Sequence, residues 1–260
     1  MTDGTPVEKN TPPVDADFSV AVASGKGGVG KSTVTVNLAL ALASRGLRVG
    51  LLDADIYGPN VPLMLGIGQS AAQVKDGRIQ PVTAHGIQVM SVGFITPPEK
   101  ALIWRGPLAN KLIEQFLTEV NWGKLDVFLI DLPPGTGDVP LSIIQKANLS
   151  AGIIVTTPQE ASIADVRKMI DMFNTTETKV LGIVENMKFI NCPHCDKKID
   201  LYPGTAGARE LDLAILAELP FLPRFSQKDP DGRPFMICNP EADISLRFQK
   251  LGESVQELLS

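Results

Sequence analysis

The chain has 260 residues, of which 44% are hydrophobic, and a formal net charge of −5. This length suits one large α/β domain, and the apolar fraction is sufficient for a buried core, which excludes a fully disordered protein. The acidic balance argues against a dedicated nucleic-acid-binding protein, and three cysteines are too few for the disulfide framework of a small secreted protein.

The first 17 residues contain three prolines and almost no large apolar side chains. We therefore predict a disordered N-terminal tail over residues 1–17 and one domain over residues 18–260. Within that domain, short apolar runs predict strands, most of them buried on both faces of a parallel sheet. The predicted strands are Phe18–Ala23, Arg48–Asp53, Ile87–Val92, Asp126–Asp131, Gly152–Thr156 and Val180–Val184.

The amphipathic segments between these strands predict helices. They are Ser32–Ser44, Leu108–Val120, Leu141–Ala147, Ser162–Phe173 and Ile244–Leu259. The Gly- and Pro-rich segment Tyr57–Pro81 predicts a surface excursion with a small hairpin. Alternation of strands and helices favours an α/β fold with a single doubly wound, mostly parallel sheet and helices on both faces.

A glycine-rich segment follows the first predicted strand and precedes the first predicted helix. It fits the pattern G-x-x-x-x-G-K-[ST] and consists of Gly25, Lys26, Gly27, Gly28, Val29, Gly30, Lys31, Ser32 and Thr33. Glycines let backbone N–H groups surround phosphate oxygens, and the positive end of the following helix adds to the attraction. The pattern predicts a P-loop NTPase in which Lys31 contacts the β- and γ-phosphates and Ser32 binds Mg²⁺.

Aspartates end two further predicted strands. Asp131 follows four apolar residues, which is typical of a carboxylate that holds Mg²⁺ in a P-loop protein. Gly135, four residues later, is predicted to bring a backbone N–H to the γ-phosphate. Asp53 and Asp55 end the second strand. Each aspartate by itself also fits a turn or a helix cap, but three strand ends beside a phosphate loop favour a nucleotide site.

Cys192 and Cys195 form a C-x-x-C pair in a polar segment. Two thiolates at this spacing can share a metal ion or a cluster, which usually takes four ligands, and Cys238 stands alone. A symmetric dimer would bring two pairs together on its two-fold axis. A thioredoxin-like redox motif is the competing interpretation, although Pro193 and the charged run after Cys195 favour an exposed loop.

Several segments together resemble the Mrp/ApbC/Nbp-type ATPases of the deviant Walker A family, which are iron–sulfur cluster carriers and scaffolds. The segments are Ala23–Asn37, Leu51–Asn60, Ile103–Pro107, Asp131–Asp138, Val155–Glu160 and Gly182–Met187. The resemblance implies that Lys26 crosses a dimer interface to the partner's nucleotide, although a solvated loop charge is the alternative. It also implies that Asp55 positions the attacking water with support from Asp53, and that Asn186 contacts adenine near residues 220–225.

Two features depart from that family. Many members carry a small domain before the phosphate loop, whereas here a short segment precedes it. A Phe-Gly-x-Gly-Gly run often follows the cysteines, whereas this chain reads Tyr202-Pro203-Gly204-Thr205-Ala206-Gly207.

The function expected from the resemblance is an ATP-hydrolysing carrier that assembles a [4Fe–4S] cluster at a homodimer interface and transfers it to iron–sulfur apoproteins. ATP and Mg²⁺ are the expected cofactors, and hydrolysis is expected to be slow. A MinD/ParA-like positioning ATPase and an ATPase dimer with structural zinc are the alternatives. No signal peptide is evident, and the uncharged runs 56–74 and 79–98 are interrupted by Gly, Pro, Gln or Asn. We therefore expect a cytoplasmic protein without membrane or nucleic-acid partners.

Overall fold

A computed structural model describes residues 13–95, 106–195, 197–222 and 232–260. Three predicted features lie partly outside these ranges. They are the predicted tail (residues 1–12), most of the motif at Ile103–Pro107, and residues 223–225 of the predicted adenine segment.

The strands of the described residues are β1 (Ala16–Ala23), β2 (Val49–Asp53), β3 (Gln73–Lys75), β4 (Arg78–Gln80), β5 (Val82–Ala84), β6 (Ile87–Ser91), β7 (Leu125–Asp131), β8 (Ala151–Thr156), β9 (Val180–Asn191), β10 (Lys198–Asp200) and β11 (Ile215–Pro220). Nine of them form one central sheet. Its parallel strands follow the order β6-β2-β7-β1-β8-β9-β11, with β5 antiparallel to β6 at one edge and β10 antiparallel to the end of β9. Strands β3 and β4 form the separate hairpin predicted within the surface excursion.

Helices connect most of the consecutive parallel strands, and the sheet grows outward on both sides of β1. Because strand–helix–strand crossovers are right-handed, growth in two directions places helices on both faces, as predicted for a doubly wound α/β fold. Every residue of β2 and β8 is buried, which explains their continuous apolar sequences. The helices are α1 (Lys31–Ser44), α2 (Val61–Met64), α3 (Gly106–Thr118), α4 (Asp138–Lys146), α5 (Glu160–Thr175), α6 (Phe235–Cys238) and α7 (Asp243–Leu259).

The start of the domain differs from the prediction. Strand β1 begins at Ala16 rather than Phe18, and Val14 is buried in the core. The pairing of Ala16 with Leu125 extends the β1–β7 ladder to this point. Residues 14–17 therefore belong to the domain, because backbone pairing and one buried apolar side chain outweigh the polar composition that suggested a tail.

Strand β9 is longer than predicted and continues through Glu185, Asn186 and Lys188 to Asn191. The buried Glu185 carboxylate accepts a hydrogen bond from the backbone N–H of Ala208 (2.7 Å) and pairs with Lys188. Lys188 also lies 2.9 Å from Glu218 of β11. Because these partners compensate the buried charges, polar residues that suggested the end of a strand remain inside it.

The last helix packs on the domain. Helix α7 contacts α1, and its Ile244, Phe248, Leu251 and Val255 are buried. At Gly252, a Cβ atom would lie 3.0 Å from that of Ala41, so the two helices approach closely. The apolar stripe of α7 therefore packs against the rest of the domain rather than on a membrane surface. Among the described residues, no helix is both long and apolar enough to cross a bilayer.

We predict that Phe248→Ala lowers the free energy of unfolding by about 3–5 kcal/mol, because the ring is 1% exposed and its removal leaves a cavity. Leu246→Ala on the same helix is the matched control, since Leu246 is 45% exposed, and should cost less than about 1 kcal/mol. Urea denaturation measures both values. Equal losses would mean that α7 is not anchored through this face.

Candidate nucleotide site and cysteine hairpin

The glycine-rich segment forms a loop between the end of β1 and the start of α1. Gly30 precedes the helix with a φ of 88°, and a Cβ atom there would lie 2.2 Å from the side-chain nitrogen of Asn186. That nitrogen donates to the carbonyl of Val29 over 2.9 Å. Glycine is therefore required at position 30 both by the left-handed backbone and by the close approach of Asn186.

The carboxylate of Asp131 joins the sheet to the phosphate loop. Lys31 Nζ lies 2.9 Å from Asp131 Oδ1, and the Ser32 hydroxyl donates to Oδ2 over 2.6 Å. Thr35 donates to Oδ1 over 2.8 Å. Asp131 is fully buried, so an ammonium group and two hydroxyl donors compensate its charge. The predicted convergence of Lys31, Ser32 and Asp131 is present in the structure.

The two aspartates after β2 lie in different environments. Asp53 is fully buried; its Oδ2 accepts from the Ser91 hydroxyl over 2.9 Å, and its Oδ1 accepts from the Asp55 N–H over 3.3 Å. Burial and the adjacent Asp131 raise the pKa of Asp53 to about 8. Burial also raises the pKa of Asp55, although Lys31 acts in the opposite direction. Asp53 thus holds the loop that carries Asp55, which fits the predicted supporting role.

Two predicted phosphate ligands have protein partners in this structure. The Gly135 N–H donates to the carbonyl of Ser24 over 2.9 Å, so its predicted contact with a γ-phosphate requires this bond to break. Lys26 Nζ donates to Gln159 Oε1 over 2.7 Å. The ammonium group of Lys26 is therefore held against its own chain, at the start of α5, rather than left as a solvated loop charge.

Asn186 lines a small cavity of about 90 Å³ together with Pro220, Phe221 and Leu222. Thr33 of the phosphate loop lines the same cavity. The structure thus brings the predicted adenine residue and the described part of the predicted adenine segment, residues 220–222, to one place beside the loop. An apolar cavity next to a phosphate site has the character that a flat base requires.

The cysteine pair lies in the loop that joins β9 to β10, which agrees with the exposed loop predicted from the sequence, and β9 and β10 form a hairpin. Cys192 directly follows β9, and its N–H donates to the carbonyl of Lys197 over 2.9 Å, next to β10. Cys195 is exposed, Cys192 is partly exposed, and no disulfide joins the three cysteines of the chain. Within the part of the chain that the structure describes, no group of three His, Cys, Asp or Glu side chains could hold a metal.

A cleft of about 580 Å³ adjoins Cys192. Residues 220–222 and Ile244 line both this cleft and the cavity beside Asn186. The segment after β11 therefore separates the nucleotide side of the protein from the cysteine side.

Comparisons with known proteins agree with this arrangement. The family model ParA, described as NUBPL iron-transfer P-loop NTPase, matches residues 16–256. The chain belongs to this family.

A Synechocystis protein named iron-sulfur cluster carrier protein is 43% identical over 93% of this chain and 72% of its own length. Among solved structures, a nucleotide-binding protein from Archaeoglobus fulgidus in complex with ADP is 38% identical with a TM-score of 0.70, covering 94% of this chain and 89% of that one. The Pyrococcus furiosus cell division ATPase MinD has a TM-score of 0.67 at 24% identity, covering 93% of this chain and 99% of that one, and supports the fold alone. The family and the fold class predicted from the sequence are thereby confirmed.

Sequence reasoning missed several residues of this NUBPL-family site. Thr35 lies one helical turn after Lys31, and Ser91 ends β6 directly opposite Asp53, so spacing and strand-end position could have identified them. Gln159 and Tyr202 carry no comparable signal, because their contacts join distant parts of the chain.

We predict that stability of the nucleotide-free protein in EDTA declines as the pH rises from about 4 to about 8, and that Asp53→Asn reduces this decline. The folded Asp53 keeps a proton up to about pH 8, whereas the unfolded chain releases it near the ordinary value of 3.8. The folded state is therefore disfavoured as the pH rises through this window. Thermal denaturation at several pH values measures the slope.

Asp76→Asn is the control for this experiment, because it removes an exposed carboxylate from the turn between β3 and β4. It should keep the slope of the parent protein. The assignment of a raised pKa to Asp53 would be contradicted if Asp53→Asn and Asp76→Asn had the same pH dependence.

Proposed function

We propose that this protein binds and hydrolyses ATP and carries an iron–sulfur cluster on Cys192 and Cys195 for delivery to apoproteins. The observation that carries the proposal is the path of β9. Its Asn186 bonds the phosphate loop at Val29, and Cys192 follows the end of the same strand. A nucleotide site and a pair of metal-binding thiols are thus connected by one continuous strand.

The nucleotide half of the proposal uses the groups around Asp131. Lys31 supplies positive charge to the β- and γ-phosphates, and backbone N–H groups of residues 25–33 surround them. The Ser32 hydroxyl and the Asp131 carboxylate are hard oxygen ligands of the kind that Mg²⁺ prefers, and they adjoin each other through a hydrogen bond of 2.6 Å. Bound Mg²⁺ would neutralise charge on the phosphates. Asp55 orients the attacking water, and Asn186 contacts adenine.

The cluster half of the proposal follows from a count of ligands. The hairpin of one chain offers two thiols, whereas a [4Fe–4S] cluster held by cysteines takes four. Two chains related by a two-fold axis supply the four ligands at an interface. We propose that the cluster is cargo at this homodimer interface, where exposure of Cys195 favours its release to a recipient protein.

The family match to an iron-transfer NTPase favours this proposal over a MinD-like positioning ATPase. The burial of the apolar stripe of α7 argues in the same direction, since a membrane-binding end would leave it exposed. A zinc-bridged dimer would use the same four thiolates, so the metal content must separate that alternative from a cluster carrier.

For the nucleotide site, we predict that Asp55→Asn retains ATP binding but loses most hydrolysis, because positioning of water acts in the transition state. Asp131→Asn should instead weaken the dependence on Mg²⁺, and Lys31→Ala should abolish binding. Fluorescent-nucleotide titration and phosphate release measure the two properties separately. If Asp55→Asn and Asp131→Asn lose ATP affinity equally, the division of roles is wrong.

For the cluster, we predict that anaerobic reconstitution loads the parent dimer with one cluster of four irons and four sulfides. Cys192→Ser and Cys195→Ser should each lose most of this iron and sulfide, whereas Cys238→Ser, the matched control, should keep it. Iron and sulfide analysis with gel filtration measures content per dimer. Full loading of either hairpin variant, or zinc in place of iron and sulfide, would contradict the carrier proposal.

A further inference from the structure

Two hydrogen bonds connect the phosphate loop to the segment that follows the cysteine hairpin. Lys26 Nζ donates to Gln159 Oε1 over 2.7 Å, and Gln159 Nε2 donates to the Tyr202 hydroxyl over 3.0 Å. A lysine ammonium group can only donate, so the carbonyl oxygen of the Gln159 amide must face Lys26. Its NH₂ group then faces Tyr202. The amide therefore links two chain segments that are otherwise far apart in sequence.

We propose that Gln159 and Tyr202 are positioning residues that transmit nucleotide binding from Lys26 to the cysteine hairpin. The proposal rests on the proposed function, because it assigns a regulatory role to groups between its two sites. When nucleotide is absent, the chain of hydrogen bonds holds the hairpin. When nucleotide binds, Lys26 leaves Gln159, the amide loses its fixed orientation, and Tyr202 is released.

The first step follows from the strength of the competing acceptors. Lys26 lies within the loop that surrounds the phosphates, and its present acceptor is a neutral amide. A phosphate oxygen carries negative charge and forms a stronger, charge-assisted hydrogen bond with an ammonium group. Phosphates therefore compete with Gln159 for Lys26, whichever subunit binds the nucleotide. Gln159 is the N-cap residue of α5, and its backbone carbonyl accepts hydrogen bonds from the N–H groups of Ser162 and Ile163, so its backbone is fixed. Its side chain makes no cap hydrogen bond, so it can turn once Lys26 has left.

The second step follows from the position of Tyr202. It comes two residues after β10, whose residues Lys198–Asp200 pair with the end of β9. The returning strand is short, and its pairing is extended by the bond from the Leu201 N–H to the Lys188 carbonyl over 3.1 Å. The hydroxyl of Thr205 donates to the carbonyl of Tyr202 over 2.9 Å, which holds this segment at its backbone.

The pairing of β10 with β9 closes the hairpin that carries both cysteines. The three residues of β10 are exposed, so few apolar contacts support this strand. A short, exposed ladder opens more readily than the central sheet, and each added hydrogen bond has a measurable effect on it. The bond between Gln159 and Tyr202 anchors the end of this ladder to the body of the domain. Its loss is expected to increase the exposure of Cys192, which is only partly exposed in the closed hairpin.

The test measures the alkylation rate of Cys192 in the cluster-free, reduced full-length protein. Iodoacetamide is the probe, and a non-hydrolysable ATP analogue with Mg²⁺ is the ligand. In the parent protein, nucleotide should raise the rate at least about threefold, which is the size expected from the loss of one hydrogen bond. The rate at Cys238, measured in the same samples by mass spectrometry, should not change.

Tyr202→Phe removes one hydroxyl and keeps the ring. This variant should react at the raised rate without nucleotide, and nucleotide should add little. Gln159→Met, which removes both hydrogen bonds, should behave in the same way. Tyr57→Phe is the matched control, because it changes the chain's other tyrosine, which is 61% exposed, and it should respond to nucleotide as the parent does.

Binding of a fluorescent nucleotide and cluster loading are measured on the same proteins. Cluster loading should be equal in the parent and in Tyr202→Phe, whereas the variant should bind nucleotide up to about threefold more tightly, because binding no longer has to break the bond between Gln159 and Tyr202. The relay is contradicted if Tyr202→Phe keeps the parental response to nucleotide, or if the parent binds nucleotide without any change in alkylation. A parent that shows the response but takes up no cluster would contradict the proposed cargo and support the relay.

Discussion

The buried carboxylate of Asp131 is the group on which the arrangement of this protein depends. It ends a central strand, and it must be compensated where no water reaches it. Lys31, Ser32 and Thr35 provide that compensation, and all three lie in the first turns of α1. The requirement to neutralise one charge thus fixes the helix to the sheet. It also fixes the phosphate loop, since the loop must close the distance between β1 and α1.

Parallel register extends the same constraint to the neighbouring strands. Asp53 pairs in register with Asp131, and Ser91 pairs with Asp53, so three strand ends present polar groups at one edge of the sheet. Burial of Asp53, together with repulsion from the adjacent buried carboxylate of Asp131, raises the pKa of Asp53. On the other side of β1, β9 continues past the sheet edge and carries Cys192 beyond it. The polar strand ends at one edge of the sheet therefore form the candidate nucleotide site, and the extension of β9 carries the thiols.

The sequence predicted the parts of this arrangement that depend on local pattern. The strands around β1 were identifiable because they are buried on both faces, and Lys31, Ser32 and Asp131 were identifiable because their motifs have fixed spacing. The full length of β9 was not identifiable from the sequence. Glu185 is tolerated in a buried strand only because its carboxylate pairs with Lys188 and accepts a hydrogen bond from the N–H of Ala208 in the folded protein. Strands β10 and β11 were missed for a similar reason: β10 is exposed, β11 is mostly half-buried, and their pairing with β9 is set by the fold rather than by their composition.

The link from Lys26 through Gln159 to Tyr202 depends wholly on tertiary structure. Gln159 lies 133 residues from Lys26, and neither contact has a local sequence signal. The predicted role of Lys26 as a lysine that reaches another nucleotide is compatible with this link, because the same ammonium group can alternate between an amide and a phosphate. Such an exchange would give a carrier a means to hold its cargo in one nucleotide state and to expose it in another.

In the proposed dimer, two chains share one cluster through their cysteine hairpins. Anaerobic native mass spectrometry of the reconstituted parent protein is the decisive test, because it gives the chain number and the cofactor mass in a single species. We expect a species of two chains with the added mass of one [4Fe–4S] cluster. A cluster on a single chain, or a dimer whose added mass is that of zinc, would rule out the shared cluster.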